Sequence, residues 1–326
     1  MPGVTGGGQP CSPPRKIAPR ENFLGVFGHT TIDHIMEVPR FPAPNTSIEV
    51  RSRRRYHGGT GANIAFLAAN MGATVALASF VGDDFPQGFE DALRAASVDI
   101  TDLVRVKGYY TPACWIVTDS DEQQMAFIDQ GPMRDAEGFD VLAHTVDTSR
   151  IVHFGTGRPE YYAKVAAYAH AKKRTIALDP AQEIHYVYTK DTFLQMLDCA
   201  HILFVNSAEL ERALEYIGSK SPKWLLDYVE VLLVTLGRKG SRVLTTDGVE
   251  DIPAIPPRRM ADPTGAGDGY RAGFYAAMER GHEICECALA GAAAASFVIE
   301  EHGAQSAPPT WESVLARLRE HRCAID

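Results

Sequence analysis

Residues 262–274 read DPTGAGDGYRAGF, and they place Asp268 where a helix should be starting. Pro263 cannot sit inside a helix and drives the residue before it toward extended backbone, while Thr264 is a good N-cap. A helix is therefore expected just after Thr264, running to about Arg280, with Gly281 at its end. Ala266, Tyr270, Gly273, Phe274, Ala277 and Met278 keep the 3.6-residue period of a buried face. Gly265 and Gly267 each cost such a helix about 1 kcal/mol relative to Ala, so their presence in the first turn needs a reason. An anion supplies one. The first amides of a helix lack intrahelical acceptors, carry the positive end of the dipole, and without a Cβ nearby let a phosphoryl group approach. Gly265, Ala266 and Gly267 then form an anion hole. Asp268 either complements the dipole or takes the proton of a hydroxyl that attacks phosphorus; the two glycines and the Pro-Thr start favour the second.

Other polar groups fall where strands should end. Residues 23–28 form an apolar run closed by Gly28, suited to a buried first strand of a parallel sheet. Thr30, Thr31 and Asp33 follow at its carboxyl end, where open α/β sheets bind ligands, so Asp33 is either a turn cap or a ligand acceptor. Gly58, Gly59 and Asn63 lie in GGTGAN, which opens a helix to about Met71. Such a turn permits close helix packing or close approach of a ligand. Asn206 and Glu209 lie in NSAE at another strand end, where Glu209 alone would read as an exposed first-turn residue. Thr235, Gly237 and Gly240 lie in TLGRKG, a β-turn on composition alone.

The elements that must hold these groups follow from the remaining pattern. Residues 34–38 and 47–56 are short, Pro-bounded and partly alternating, and 111–118 with 124–129 read as a hairpin; together they suggest a small lid sheet. From residue 151 to 236 strands and helices alternate, which implies a parallel sheet covered on both faces. Residues 285–300 form an Ala-rich helix, and 309–322 an amphipathic one. The expected organisation is a flexible tail at 1–21, one domain at 22–322 with lid strands from about 34–57 and 109–130, and a short tail at 323–326.

Composition narrows the partners. With 326 residues, 45% of them hydrophobic, the chain can bury a large core. A balance of 32 basic against 41 acidic residues, net −9, argues against non-specific nucleic-acid binding. No apolar run reaches the roughly 18 residues that span a bilayer. Six scattered cysteines suit a reducing cytoplasm, and Cys285 and Cys287, two apart on a helix, do not face a common metal. No Walker A pattern is present. Arg51, Arg53, Arg54 and Arg55 read as a solvated face.

Beyond this residue-level reading, DPTGAGD resembles the C-terminal signature of the ribokinase family of carbohydrate and nucleoside kinases. With GHTTIDHI (28–35), FPAPNTSI (41–48), GGTGAN (58–63), DPAQ (179–182), AAAASFV (292–298) and PTW (309–311), the chain past its first 20 or so residues looks like the archaeal nucleoside kinases of that family. The resemblance implies a three-layer α/β/α fold, a mainly parallel sheet and a β lid. It implies ATP and Mg²⁺, with Asp268 as catalytic base and the anion hole at 265–267. Asp33, Gly58, Gly59 and Asn63 would hold the sugar, Glu209 would organise Mg²⁺ through water beside Asn206, and Thr235, Gly237 and Gly240 would meet the nucleotide.

The same likeness makes helix 285–300 a wall of the adenine pocket and allows a homodimer through the lid. K⁺-activated members carry a hydroxyl two residues after the Gln that here is Gln305; this chain has Ala307 there and Ser306 one place early, leaving Asp262 and carbonyls as K⁺ ligands. The acceptor implied is the 5′-hydroxyl of a ribonucleoside, with Tyr109, Tyr110, Phe127, Gln130 or Gln182 near the base. The alternatives are a sugar or sugar-phosphate kinase, which would need lid cations such as Arg51 to Arg55 aimed inward, and a non-catalytic nucleotide sensor.

Overall fold

The structure, a computed structural model, describes residues 21–321. The tails expected at 1–21 and 323–326 lie, apart from Glu21, outside the described residues. The chain opens with β1 (Asn22–Phe27), β2 (Thr31–Glu37), β3 (Ser52–Gly58), α1 (Thr60–Asn70), β4 (Val75–Val81), α2 (Gln87–Ala95) and β5 (Leu103–Arg105). It continues through β6 (Ala113–Thr118), β7 (Gln124–Asp129), α3 (Ala143–Thr148), β8 (Ser149–Phe154), α4 (Pro159–Ala171) and β9 (Thr175–Leu178). Then come α5 (Lys190–Leu197), β10 (Ile202–Asn206), α6 (Ser207–Ile217), β11 (Val231–Thr235), β12 (Ser241–Thr245) and β13 (Gly248–Ile252). Three helices finish it: α7 (Ala266–Glu279), α8 (Ile284–Val298) and α9 (Trp311–Glu320).

Nine strands form one sheet in the order β13-β12-β11-β10-β9-β8-β1-β4-β5, parallel except for β12 and β13. Its central strands are buried on both faces, as their continuous apolar runs require; β4, VALASFV, is buried at every position, whereas the edge strand β13, GVEDI, is exposed along most of its length. Neighbouring residues go to opposite sides. Phe204 and Leu233 join the core under α1, α2, α7, α8 and α9, whereas Leu203 and Leu232 join the core under α3 to α6. This is the three-layer α/β/α arrangement expected. A second sheet, β3-β2-β6-β7, stands apart as the lid.

Two local expectations are corrected. β2 begins at Thr31, so Asp33 is carried on a lid strand and not in the turn after β1. Thr264 does not cap α7: its amide donates to Asp262 Oδ1 at 2.9 Å, and the N-cap is Gly265 with φ 81°. The chain enters α7 through a left-handed residue, a conformation that Thr, with its branched Cβ, disfavours.

Candidate active site

β1 is flanked by β4 on one side and β8 on the other, and the chain works outward from it in both directions. That switch point opens a crevice at the carboxyl ends of the strands. Thr156 beyond β8, Asp179 beyond β9, Asn206 at the end of β10 and Thr235 at the end of β11 all line one cavity of about 1230 Å³. A single drug-sized ligand needs roughly 300–1,000 Å³, so two substrates fit. Asp33, Gly59, Asn63, Cys114, Ile116, Ile128, Gln182 and Tyr186 line it from the lid and α1 side; Glu209, Gly237, Gly240, Ala292, Ala295, Ser296 and Ile299 line the rest. α7 packs against both α1 and α8, and its first turn, Gly265 to Asp268, reaches the same cavity.

Gly265 is required there twice over: by its positive φ, and because a Cβ would lie 2.4 Å from the Ala304 Cβ. Asp268 Oδ2 accepts a 2.7 Å hydrogen bond from Asn63 Nδ2, and Asn63 Oδ1 accepts one of 2.8 Å from Gln305 Nε2. Burial pushes the Asp268 carboxyl up to about 7; the Asn63 bond and the Arg271 charge pull it down, and Asp179 and Asp33 add to the rise. A carboxylate tuned near neutrality is a competent general base. Asn63 has given one amide proton to Asp268 and keeps a second for a ligand.

Asp33 Oδ1 accepts from the Thr31 hydroxyl at 2.6 Å. Burial raises its carboxyl to about 6 against that bond, with the Asp262 charge adding to the rise. Gly58 stands behind it and is absent from the cavity wall: a Cβ on Gly58 would lie 2.0 Å from Asp33 Oδ2. Gly59, with φ 91°, does line the cavity.

Of the five residues expected near a base, only Gln182 lines the cavity. Tyr109 donates to Asp135, Gln130 donates to Glu183, and Tyr110 and Phe127 are exposed. For Phe127 the cause is strand parity. Cys114 faces Ile128 across the β6–β7 ladder and both reach the cavity, so Phe127, paired with Trp115, points to the opposite face.

At the other end Asn206 and Glu209 form a capping box. Asn206 Oδ1 accepts from the amides of Ala208 and Glu209, while its own amide and Nδ2 each donate to a Glu209 oxygen at 2.7 Å. Glu209 is 5% exposed, unlike an ordinary first-turn residue, and burial, then Asp179, raises its carboxyl. Among the described residues no three His, Cys, Asp or Glu side chains gather to hold a metal. Mg²⁺ brought by a nucleotide would have the single carboxylate Glu209 here, in keeping with an ion that retains several waters and binds through a carboxylate plus substrate phosphates. Asp262, the carboxylate considered for K⁺, accepts from the Thr264 amide and, at 3.4 Å, the Gly303 amide; the Ser306 hydroxyl donates to the His302 carbonyl.

The residue reading passed over several groups that line this cavity: His29, Thr60, Thr156, Asp179, Glu183 and Arg271. Arg271 had a signal. Residues 269–277 of α7 are all buried, so its lone charge inside that run marks a paired, purposeful cation.

The cavity sets the buried Asp268 carboxyl at the first turn of α7, where the Ala266 amide donates to the Pro263 carbonyl at 3.2 Å, an arrangement compatible with a phosphotransferase acting on a hydroxyl. Comparison agrees: the profile of the pfkB family carbohydrate kinases matches residues 22–311, and the chain belongs to that family. It is 39% identical over 300 residues to a nucleoside kinase of Methanocaldococcus jannaschii, covering 92% of this chain and 97% of that one. A nucleoside kinase of Methanothermobacter thermautotrophicus is 34% identical, with 89% and 94% covered. The crystal structure of the M. jannaschii nucleoside kinase, an archaeal member of the ribokinase family, superposes with a TM-score of 0.85 over 93% of this chain and 100% of that one, at 37% identity.

Proposed function

We propose that this chain is an ATP-dependent nucleoside kinase that phosphorylates the 5′-hydroxyl of a ribonucleoside. The observation that carries the reading is the Asp268 carboxylate, held by Asn63 in the first turn of α7 and facing a cavity with room for two substrates. Asp33, Gly59 and the free Asn63 proton receive the ribose, with Gly58 making room for the Asp33 carboxylate. Asp268 takes the 5′-hydroxyl proton as that oxygen bonds to the γ-phosphorus and the bond to the β,γ-bridging oxygen breaks, releasing ADP. The amides of Gly265 and Gly267, joined by that of Ala266 once it leaves the Pro263 carbonyl it bonds at 3.2 Å, stabilise charge on the transferring oxygens. Asn206, Thr235, Gly237 and Gly240 form the nucleotide end. Mg²⁺ arriving with ATP would neutralise phosphate charge there, and Glu209 would be the carboxylate that holds its waters.

The cavity's cations separate this reading from a sugar-phosphate kinase. Arg51 to Arg55 do not line it: Arg51 donates to Ser120, and Arg53, Arg54 and Arg55 are exposed beside His34 elsewhere on the lid. An acceptor with a second phosphate therefore has no lid cation to meet. A nucleoside instead finds apolar surface at Ile116, Ile128 and Cys114, with Gln182 as an amide partner. The test is phosphoryl transfer from ATP and Mg²⁺ across inosine, guanosine, cytidine, adenosine, ribose and fructose 6-phosphate. Preference for the nucleosides supports the reading, preference for fructose 6-phosphate replaces the acceptor, and no transfer to any of them favours a nucleotide sensor.

A further inference from the structure

Asp179 and Arg271 are 92 residues apart in sequence and meet under the first turn of α7. Arg271 Nε and Nη2 donate to the two Asp179 oxygens at 2.8 and 2.9 Å, a bidentate fork with both partners buried. Asp179 is itself fixed: its amide donates to the Phe154 carbonyl at 2.8 Å, and His153 Nε2 lies 3.7 Å from Oδ2. Burial lowers His153 to about 4, so Arg271 carries the positive charge in this cluster. The third guanidinium nitrogen, Nη1, reaches back to the Gly267 carbonyl at 3.2 Å, and a Cβ on Gly267 would lie 2.9 Å from it. The second glycine of the turn is thus fitted to Arg271.

A fork this deep is weak evidence for stability, because an apolar pair of similar volume often serves as well. Its place says more. The cavity wall carries the carboxyl groups Asp33, Asp179, Glu183, Glu209 and Asp268, and Arg271 is the buried arginine among them. We propose that Arg271, clamped by Asp179, is a positioning residue for phosphoryl transfer: it fixes the Gly267 end of the anion-receiving turn and keeps a permanent positive charge beneath it. The inference rests on the kinase reading above.

The test uses the full chain with Arg271→Met combined with Asp179→Leu, which replaces the pair with apolar side chains and leaves no unpaired buried charge. Removal of a preorganised electrostatic partner lowers kcat by about 10²-fold, with a smaller change in nucleoside KM. The acid limb of kcat/KM against pH moves upward. The groups that bear on Asp268 are Asn63 of α1, Asp33 of β2, Asp179 after β9 and Arg271 of α7, and the loss of Arg271 outweighs the loss of Asp179. Arg271→Lys keeps the charge but not the fork; it holds the limb in place and loses about tenfold in kcat. A double variant within about threefold of the parent kcat with an unmoved limb overturns the proposal. If the double variant does not fold, unchanged kcat in Arg271→Lys overturns it equally. Failure of the unaltered chain to phosphorylate any acceptor removes the kinase reading instead, so the two failures are distinct.

Discussion

Asn63 donates to Asp268 across 205 residues of sequence, at 2.7 Å, and so ties the first turn of α1 to the first turn of α7. The helix that begins beside the lid and the helix that begins at Gly265 share one hydrogen bond at the cavity wall.

Asp268→Asn removes the proposed base while keeping the shape. Turnover is expected to fall by about 10²-fold or more with nucleotide affinity retained, measured by steady-state rates and ATP binding. Stability should move the other way. The folded carboxyl titrates near 7 against an ordinary 3.8, so the folded state binds the proton more tightly and the ionised group weakens folding as pH rises through that window. The variant is therefore expected to melt at least about 2 °C above the parent at pH 8, with the gain vanishing near pH 3.5. A lower melting temperature at pH 8 would contradict the burial of this charge.

The pH profile follows from the same group. kcat/KM should drop as pH falls through about 7, because Asp268 must be ionised to accept a proton. Asn63→Ala removes the bond that favours the ionised form and should move the limb to higher pH. A limb that stays put would assign it to another group.

Asp33→Asn probes the ribose end. Loss of a charged acceptor costs about 1.5–3 kcal/mol, so nucleoside KM should rise roughly 10- to 100-fold while ATP KM stays unchanged. Isothermal titration with nucleoside in the absence of ATP checks the same point. Equal loss for both substrates would place Asp33 in a structural role.

Gly265→Ala tests the entry to α7. A left-handed Ala costs about 1–2 kcal/mol, and the overlap with Ala304 adds to it, so denaturant unfolding should show a loss of about 2 kcal/mol or more. Wild-type stability in this variant would mean that the turn relaxes freely.

The start of α7, the position of Asp268 in its first turn and the alternation of strands and helices were legible because each depends on neighbours within a few residues. The parallel sheet and the separate lid followed from the same local patterns. What sequence could not show was pairing at a distance. The Asp179 and Arg271 fork and the Gln305 to Asn63 to Asp268 chain join segments brought together only by the fold. Parity failed for a related reason: a one-residue offset between β6 and β7 decides whether Phe127 or Ile128 reaches the cavity, and only the ladder fixes it. Gly265 looked like half of an anion site, while its positive φ and contact with Ala304 are independent reasons for it.

α7 and α8 interlock through glycines: a Cβ on Gly273 would lie 2.7 Å from the Ala290 carbonyl oxygen, and one on Gly291 would lie 2.6 Å from that of Tyr270. Drift in either helix therefore demands a matched change in the other, and the α7–α8 side of the cavity is held close to its present form. On the lid, Gly58 of β3 is locked to Asp33 of β2 in the same way, and the apolar positions of β6 and β7 that face the cavity bear no such lock. Ile116, Ile128 and Cys114 face the cavity with no glycine packed against them, so single substitutions there are expected to shift acceptor preference while the α7–α8 pair stays as it is.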